Sequence, residues 1–124
     1  MTAHAPEDLH KQFVAFFNAR DLDGLMTLYE KDATLVPQPG SPMVGYDANR
    51  RALQQFLDLK GRIDITTHEV IPSGTLALLR GEWRLNGTAP NGQSITMSGK
   101  NIEVARRQPA GHWQFVIDHP YGAG

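Results

Sequence analysis

Cysteine is missing altogether from this 124-residue chain. Disulfides, thiolate nucleophiles and cysteine-bound zinc are thereby excluded, and a reducing compartment is compatible. Charge of one sign is also lacking: 12 Lys and Arg stand against 13 Asp and Glu with no block of like charge, so no electrostatic footprint for nucleic acid or an anionic membrane is present. There is no apolar run of membrane length, and MTAHAPEDLH carries neither the basic flank nor the apolar stretch of a signal peptide. The expectation is a soluble, cytoplasmic protein with no nucleic-acid and no membrane partner, whose ligand is a small neutral molecule.

Several catalytic signatures are absent too. HExxH, His-x-His, GxSxG, phosphate-cradling glycine loops and dinucleotide fingerprints do not occur, and His4, His10, His68 and His112 show no ligand spacing. No metal and no cofactor are expected. The length suits one domain over 1–124, with room for one real core.

What is present divides into two halves. Pro6 followed by Glu7 and Asp8 reads as a helix start, after which Leu9, Phe13, Phe16 and Phe17 fall on one face. Asp21 is an N-cap for a second helix, whose Leu22, Leu25, Met26 and Tyr29 continue the pattern to about Lys31. A short strand, Ala33 to Val36, leads into the irregular PQPGSP, and a third helix runs from near Asp47 to a glycine cap at Lys60-Gly61. From Arg62 onward the period is two. Four strands are marked by Ile63, Ile65 and Ile71; Ala77, Leu79, Trp83 and Leu85; Ile95, Met97, Ile102 and Val104; and Trp113, Phe115 and Ile117, with PSG, PNG and PAG between them. Helices followed by a meander predict an α+β domain with helices packed on one face of a mostly antiparallel sheet.

Ile95 and Met97 are odd-numbered, Ile102 and Val104 even, so strict alternation cannot place all four on one face. A β-bulge near Gly99 would repair the phase and bend the sheet into a concave surface with a pocket beneath the helices. Such a bulge would aim Glu103 outward, whereas unbroken alternation would aim it inward; burial of a carboxylate is rare, and outward is the expectation.

The ending WQFVIDHP poses the functional question. If Trp113, Phe115 and Ile117 face the core, His119 shares their face and Asp118 points away. An inward His119 is the candidate catalytic acid or base, since imidazole titrates near neutrality; the competing reading is that it caps the core with a hydrogen bond to a carbonyl. Trp83 is core, ligand platform or both, and the phenylalanine stripe is first of all core packing.

The string NARDLDGLMTLYEKDATLVPQPGSPMVGYDANRRAL, the spaced strands after it and the final HWQFVIDHP resemble the ketosteroid isomerase-like and SnoaL-like branch of the nuclear transport factor two superfamily, from about Leu9 to Pro120. The resemblance implies a conical, cystatin-like fold of three helices over a strongly curved sheet, a deep apolar pocket and a homodimer through the outer sheet surface, where Leu76, Leu78 and Val116 are candidates. In the steroid isomerases a carboxylate base follows the first strand and a tyrosine comes from the first helix. Here Val36, Pro37 and Gln38 occupy the former place and Phe13 the latter, so that mechanism does not carry over. Two functions stay open. One is an acid/base enzyme of isomerase, cyclase or hydrolase type on a small apolar or aromatic ligand, with His119 transferring the proton, Tyr29, Gln38 and Asn101 offering hydrogen bonds, and Phe13, Phe17, Trp83 and Met97 forming the walls. The other is a noncatalytic ligand-binding or dimerising scaffold.

Overall fold

A computed structural model describes residues 3–123, leaving 1, 2 and 124 of the expected span outside. Helix α1 (Asp8–Asn18) starts where Pro6 and the acidic pair foretell it, with the Asp8 carboxylate accepting from the Ala5 N–H at 3.1 Å. It stops at Arg20, which takes a positive φ of 59°. Asp21 then caps α2 (Leu22–Met26), accepting from the Gly24 N–H at 2.9 Å.

That second helix is only five residues long, not the ten expected from periodicity. The Thr27 hydroxyl closes its last turn on the Gly24 carbonyl, and the carbonyl of Leu28 already accepts from Phe115 N–H at 2.7 Å. Tyr29 therefore opens β1 (Tyr29–Leu35) instead of completing a helical stripe. Pairing with the C-terminal strand overrides a local pattern that Gly24, Thr27 and Tyr29 only weakly supported.

A short β2 (Met43–Val44) follows the proline loop, and α3 (Tyr46–Leu57) precedes the four long strands β3 (Arg62–Ser73), β4 (Leu76–Thr88), β5 (Ser94–Arg107) and β6 (Trp113–His119). They form one unclosed sheet in the order β2-β1-β6-β5-β4-β3, in which only β1 and β6 run parallel. Register shifts at His68 in β3, at Val116 in β6 and within β1 bend the sheet around the three helices.

Two side-chain amides, Asn18 half-buried and Asn49 buried, fasten the layers. Asn18 bonds both to the carbonyl and to the N–H of Ile63, at 3.1 and 2.8 Å, tying the end of α1 to β3. Asn49 donates to the Ala33 carbonyl at 2.8 Å, tying α3 to β1. His10, about two turns before Asn18, is thus held above the sheet. Leu9, Phe17, Leu25, Leu35, Leu53, Leu79 and Phe115 fill the core between the layers. On the opposite face of the sheet, Ile71, Leu78, Val104 and Ile117 pair in sequence across β3, β4, β5 and β6 to make one apolar row.

Candidate functional site

Between the helices and the concave sheet face lies an open-mouthed cavity of about 60 Å³. Phe13, Phe17, Phe56, Ile65, Trp83 and Phe115 supply most of the apolar wall, with Phe13 and Phe17 stacked at 5.9 Å between ring centres. Four polar side chains enter this surrounding: His10, Asn101, Glu103 and Asp118.

Asp118, and not His119, turns inward. The cause is the bulge in β6: Phe115 pairs with Ala105 and Ile117 with Val104, so Val116 is an extra residue without an opposite number. One added residue reverses the phase of everything after it. Asp118 lands on the inner face opposite Glu103, while His119 pairs with Ile102 on the outside and does not line the cavity. The imidazole of His119 instead accepts from the Tyr121 N–H at 3.3 Å.

The bulge expected near Gly99 is not there, since β4 and β5 stay in unbroken register from Leu76–Arg106 to Thr88–Ser94. Ile95, Met97, Asn101, Glu103 and Ala105 consequently share the inner face, and Ile102 and Val104 lie outside. Apolar residues misled the phase because the true inner pair is polar. Gly99 answers another need. A Cβ there would stand 2.7 Å from Trp83 Nε1, 2.8 Å from the Pro120 carbonyl and 2.9 Å from the Tyr121 ring, so glycine admits the segment after β6. That segment is held by Trp83 Nε1–H donating to the Pro120 carbonyl at 2.7 Å and by Tyr121 lying edge-on to the indole.

Both oxygens of Glu103 have hydrogen-bond partners. His10 Nε2 approaches Oε1 at 2.5 Å, and Asn101 Nδ2 donates to Oε2 at 2.7 Å. The other ring nitrogen of His10, Nδ1, meets the Thr67 hydroxyl at 2.7 Å. Asp118 is placed differently: its Oδ2 accepts from the Tyr29 hydroxyl at 2.5 Å. Burial, and then the charge of Glu103 opposite, push the Asp118 carboxyl up to about 8, against the opposing pull of the Tyr29 hydrogen bond. Tyr29 itself is raised well above its ordinary value by burial and by the neighbouring Asp118. At neutral pH the Asp118 carboxyl therefore keeps its proton.

Of the residues singled out in the sequence, Phe13, Phe17, Trp83 and Asn101 line the cavity. Tyr29 is buried behind it and reaches it through Asp118. Met97 is half-buried on the inner face opposite Leu85 and does not itself line the cavity. Gln38 is exposed, because the chain leaves the sheet after Val36 N–H bonds the Asp118 carbonyl. His10 and Glu103 were not expected here. His10 carried a legible signal, falling at i, i+3 and i+7 with Phe13 and Phe17 on the inner face of α1. Among the described residues no group of three or more His, Cys, Asp or Glu could hold a metal ion, and no helix is long and apolar enough to cross a membrane.

The family model for the SnoaL-like domain matches residues 10–116. No curated protein matches the chain. Solved structures similar to it include a ketosteroid isomerase-like protein from Erwinia carotovora atroseptica, 18% identical with a TM-score of 0.80, covering 91% of this chain and 89% of that one. An uncharacterized protein with a cystatin-like fold from Caulobacter vibrioides is 17% identical, with a TM-score of 0.77 and coverage of 93% and 84%. An NTF2-like protein with a cystatin-like fold from Novosphingobium aromaticivorans is 16% identical, with a TM-score of 0.74 and coverage of 90% and 75%. At these identities the likeness concerns the fold.

Proposed function

The chain belongs to the SnoaL-like domain family, and from that premise we propose that it is an acid/base enzyme acting on a small, neutral, apolar or aromatic ligand. Glu103 is the proton acceptor and Asp118 the proton donor. The observation that carries this reading is the pairing of Glu103 with Asp118 across β5 and β6 inside an apolar cavity, with Asp118 pushed up to about 8 by burial and by the facing Glu103. Two titratable groups whose surroundings separate their proton affinities divide the acid and base roles between them.

The chemistry that follows is a proton shift. For a ligand carrying an oxygen near Asp118, Glu103 removes a proton from the carbon beside the oxygen-bearing carbon while Asp118 gives its proton to the oxygen. A carbonyl becomes an enol, leaving Glu103 protonated and Asp118 ionised; returning a proton to another carbon completes an isomerisation. With an alcohol the same pair eliminates water. Tyr29 steadies the Asp118 carboxylate while it is ionised, and the apolar walls exclude charged competitors. His119 has no part, being on the outer face.

The test begins with a panel of small aromatic and alicyclic ketones and alcohols, scored by the rise in melting temperature that a ligand of the native state causes. Binders are then followed by NMR for rearranged or dehydrated product. The reading requires that Glu103→Gln and Asp118→Asn each abolish turnover while His119→Ala preserves it. Turnover that survives both carboxyl substitutions would refute it.

We also infer that the protein acts as a homodimer in the cytoplasm. The apolar outer row Ile71, Leu78, Val104 and Ile117 supports the pairing, Ile71 and Ile117 being 48% and 41% exposed.

A further inference from the structure

The carboxyl groups of Glu103 and Asp118 face each other, both buried among apolar walls, and one chain of hydrogen bonds leads from Glu103 to the surface. Thr67 is an exposed residue of β3, paired with Gly81, and its Oγ1 stands 2.7 Å from His10 Nδ1. Across the ring, His10 Nε2 stands 2.5 Å from Glu103 Oε1, and Glu103 faces Asp118. Among the described residues no other hydrogen-bonded series of side chains joins either carboxyl group to an exposed one. Tyr29 ends in the core behind Asp118, and Asn101 bonds only to His10 and Glu103.

The placement of the first two members follows from the fold. The register shift in β3 falls immediately after Thr67, so Ile63, Ile65 and Thr67 share the inner face before the phase turns over at His68. Asn18 clamps α1 onto Ile63 of the same strand, which sets His10 above Thr67. The imidazole then has a partner on each nitrogen and none left to touch a ligand. Such a ring can accept a proton at one nitrogen as it releases one from the other.

We propose that Thr67 and His10 form a proton conduit through which the buried Glu103/Asp118 pair exchanges protons with solvent, an inference that rests on the acid/base reading of that pair. Inward, water gives a proton to Thr67 Oγ1 as the hydroxyl's own proton passes to His10 Nδ1 and the Nε2 proton passes to Glu103 Oε1. One proton enters and one arrives, and the ring changes from its Nε2–H to its Nδ1–H tautomer. Outward transfer is the reverse, with no co-reactant other than water. Asn101 keeps the carboxyl group in line by holding Oε2. His10 and Thr67 are accordingly positioning and conducting residues, not catalytic ones.

Two substitutions separate conduction from support. Thr67→Val keeps the shape and removes the hydroxyl. His10→Gln keeps an N–H for Glu103, but an amide cannot relay a proton. The measurement is a rapid-mixing pH jump across the Asp118 value of about 8, followed by the infrared bands of the carboxyl groups. Wild type should settle within the mixing time. Both variants should reach the same end point more slowly, by roughly tenfold or more, because exchange then waits on local opening of the fold. Wild-type rates in either variant would overturn the proposal, showing that protons enter through the cavity mouth. If the bands give no usable signal, exchange of the His10 ring N–H with water, measured by NMR, decides: slowing in Thr67→Val supports the conduit and an unchanged rate contradicts it. Neither readout uses a ligand, so a failure to find turnover would sink the enzymatic reading and leave this result standing.

Discussion

Glu103 and Asp118 face each other across the β5–β6 ladder, and burial together with the facing Glu103 raises the Asp118 carboxyl to about 8. Stability must depend on pH as a consequence. The native carboxyl keeps its proton up to about 8, whereas an unfolded aspartate loses it near ~3.9. Between those values the unfolded state binds fewer protons, so stability falls as pH rises and levels off once the native group ionises. Asp118→Asn should abolish this component: the difference in urea midpoint between variant and wild type should shift in the variant's favour with rising pH across that window. A difference that stays constant would contradict it.

Among the described residues Tyr29 supplies the one hydrogen bond that the Asp118 side chain makes, at 2.5 Å. Because that bond favours the ionised form, Tyr29→Phe should push Asp118 higher still. It should also destabilise the fold by about 1–2 kcal/mol, most strongly at alkaline pH where a buried carboxylate would be left without a donor. Equilibrium denaturation at neutral and alkaline pH measures both the loss and its trend.

Gly99 leaves room for Pro120 and Tyr121 beside Trp83. Gly99→Ala should cost roughly 1–3 kcal/mol through overpacking and break the bond from the indole to the Pro120 carbonyl. A change in Trp83 fluorescence, read in a Trp113→Phe background, reports the displacement.

The outer apolar row places Val104 between Leu78 and Ile117. Val104→Lys should convert a dimer to a monomer while leaving the Asp118 titration in place, as sedimentation equilibrium and NMR can establish. A wild-type chain that sediments as a monomer contradicts the pairing.

The general architecture was legible because helical and strand periods change cleanly near Arg62. Elements failed where a distant partner decided the outcome. Tyr29 fits a helical stripe locally, yet β6 claims its segment for the sheet. The site failed for a related reason. Alternation is a reliable guide only between bulges, and the bulge at Val116 carries no glycine to announce it; the glycine that seemed to mark one, Gly99, serves close packing instead. Glu103 and Asn101 were obscured because a buried polar pair looks, in sequence, like an exposed face. Phe13, Phe17 and Trp83 were accessible from their periodicity, since core and cavity wall are one surface in this fold.

The most direct test of the central claim is a carbon-detected NMR titration of the Asp118 carboxyl in wild type and in Glu103→Gln. Wild type should titrate at about 8. The variant should titrate lower, through loss of the facing charge, yet above an ordinary carboxylate because burial remains. A wild-type midpoint near ~4, or a midpoint that Glu103→Gln does not move, would mean that burial and the facing Glu103 do not hold the proton on Asp118.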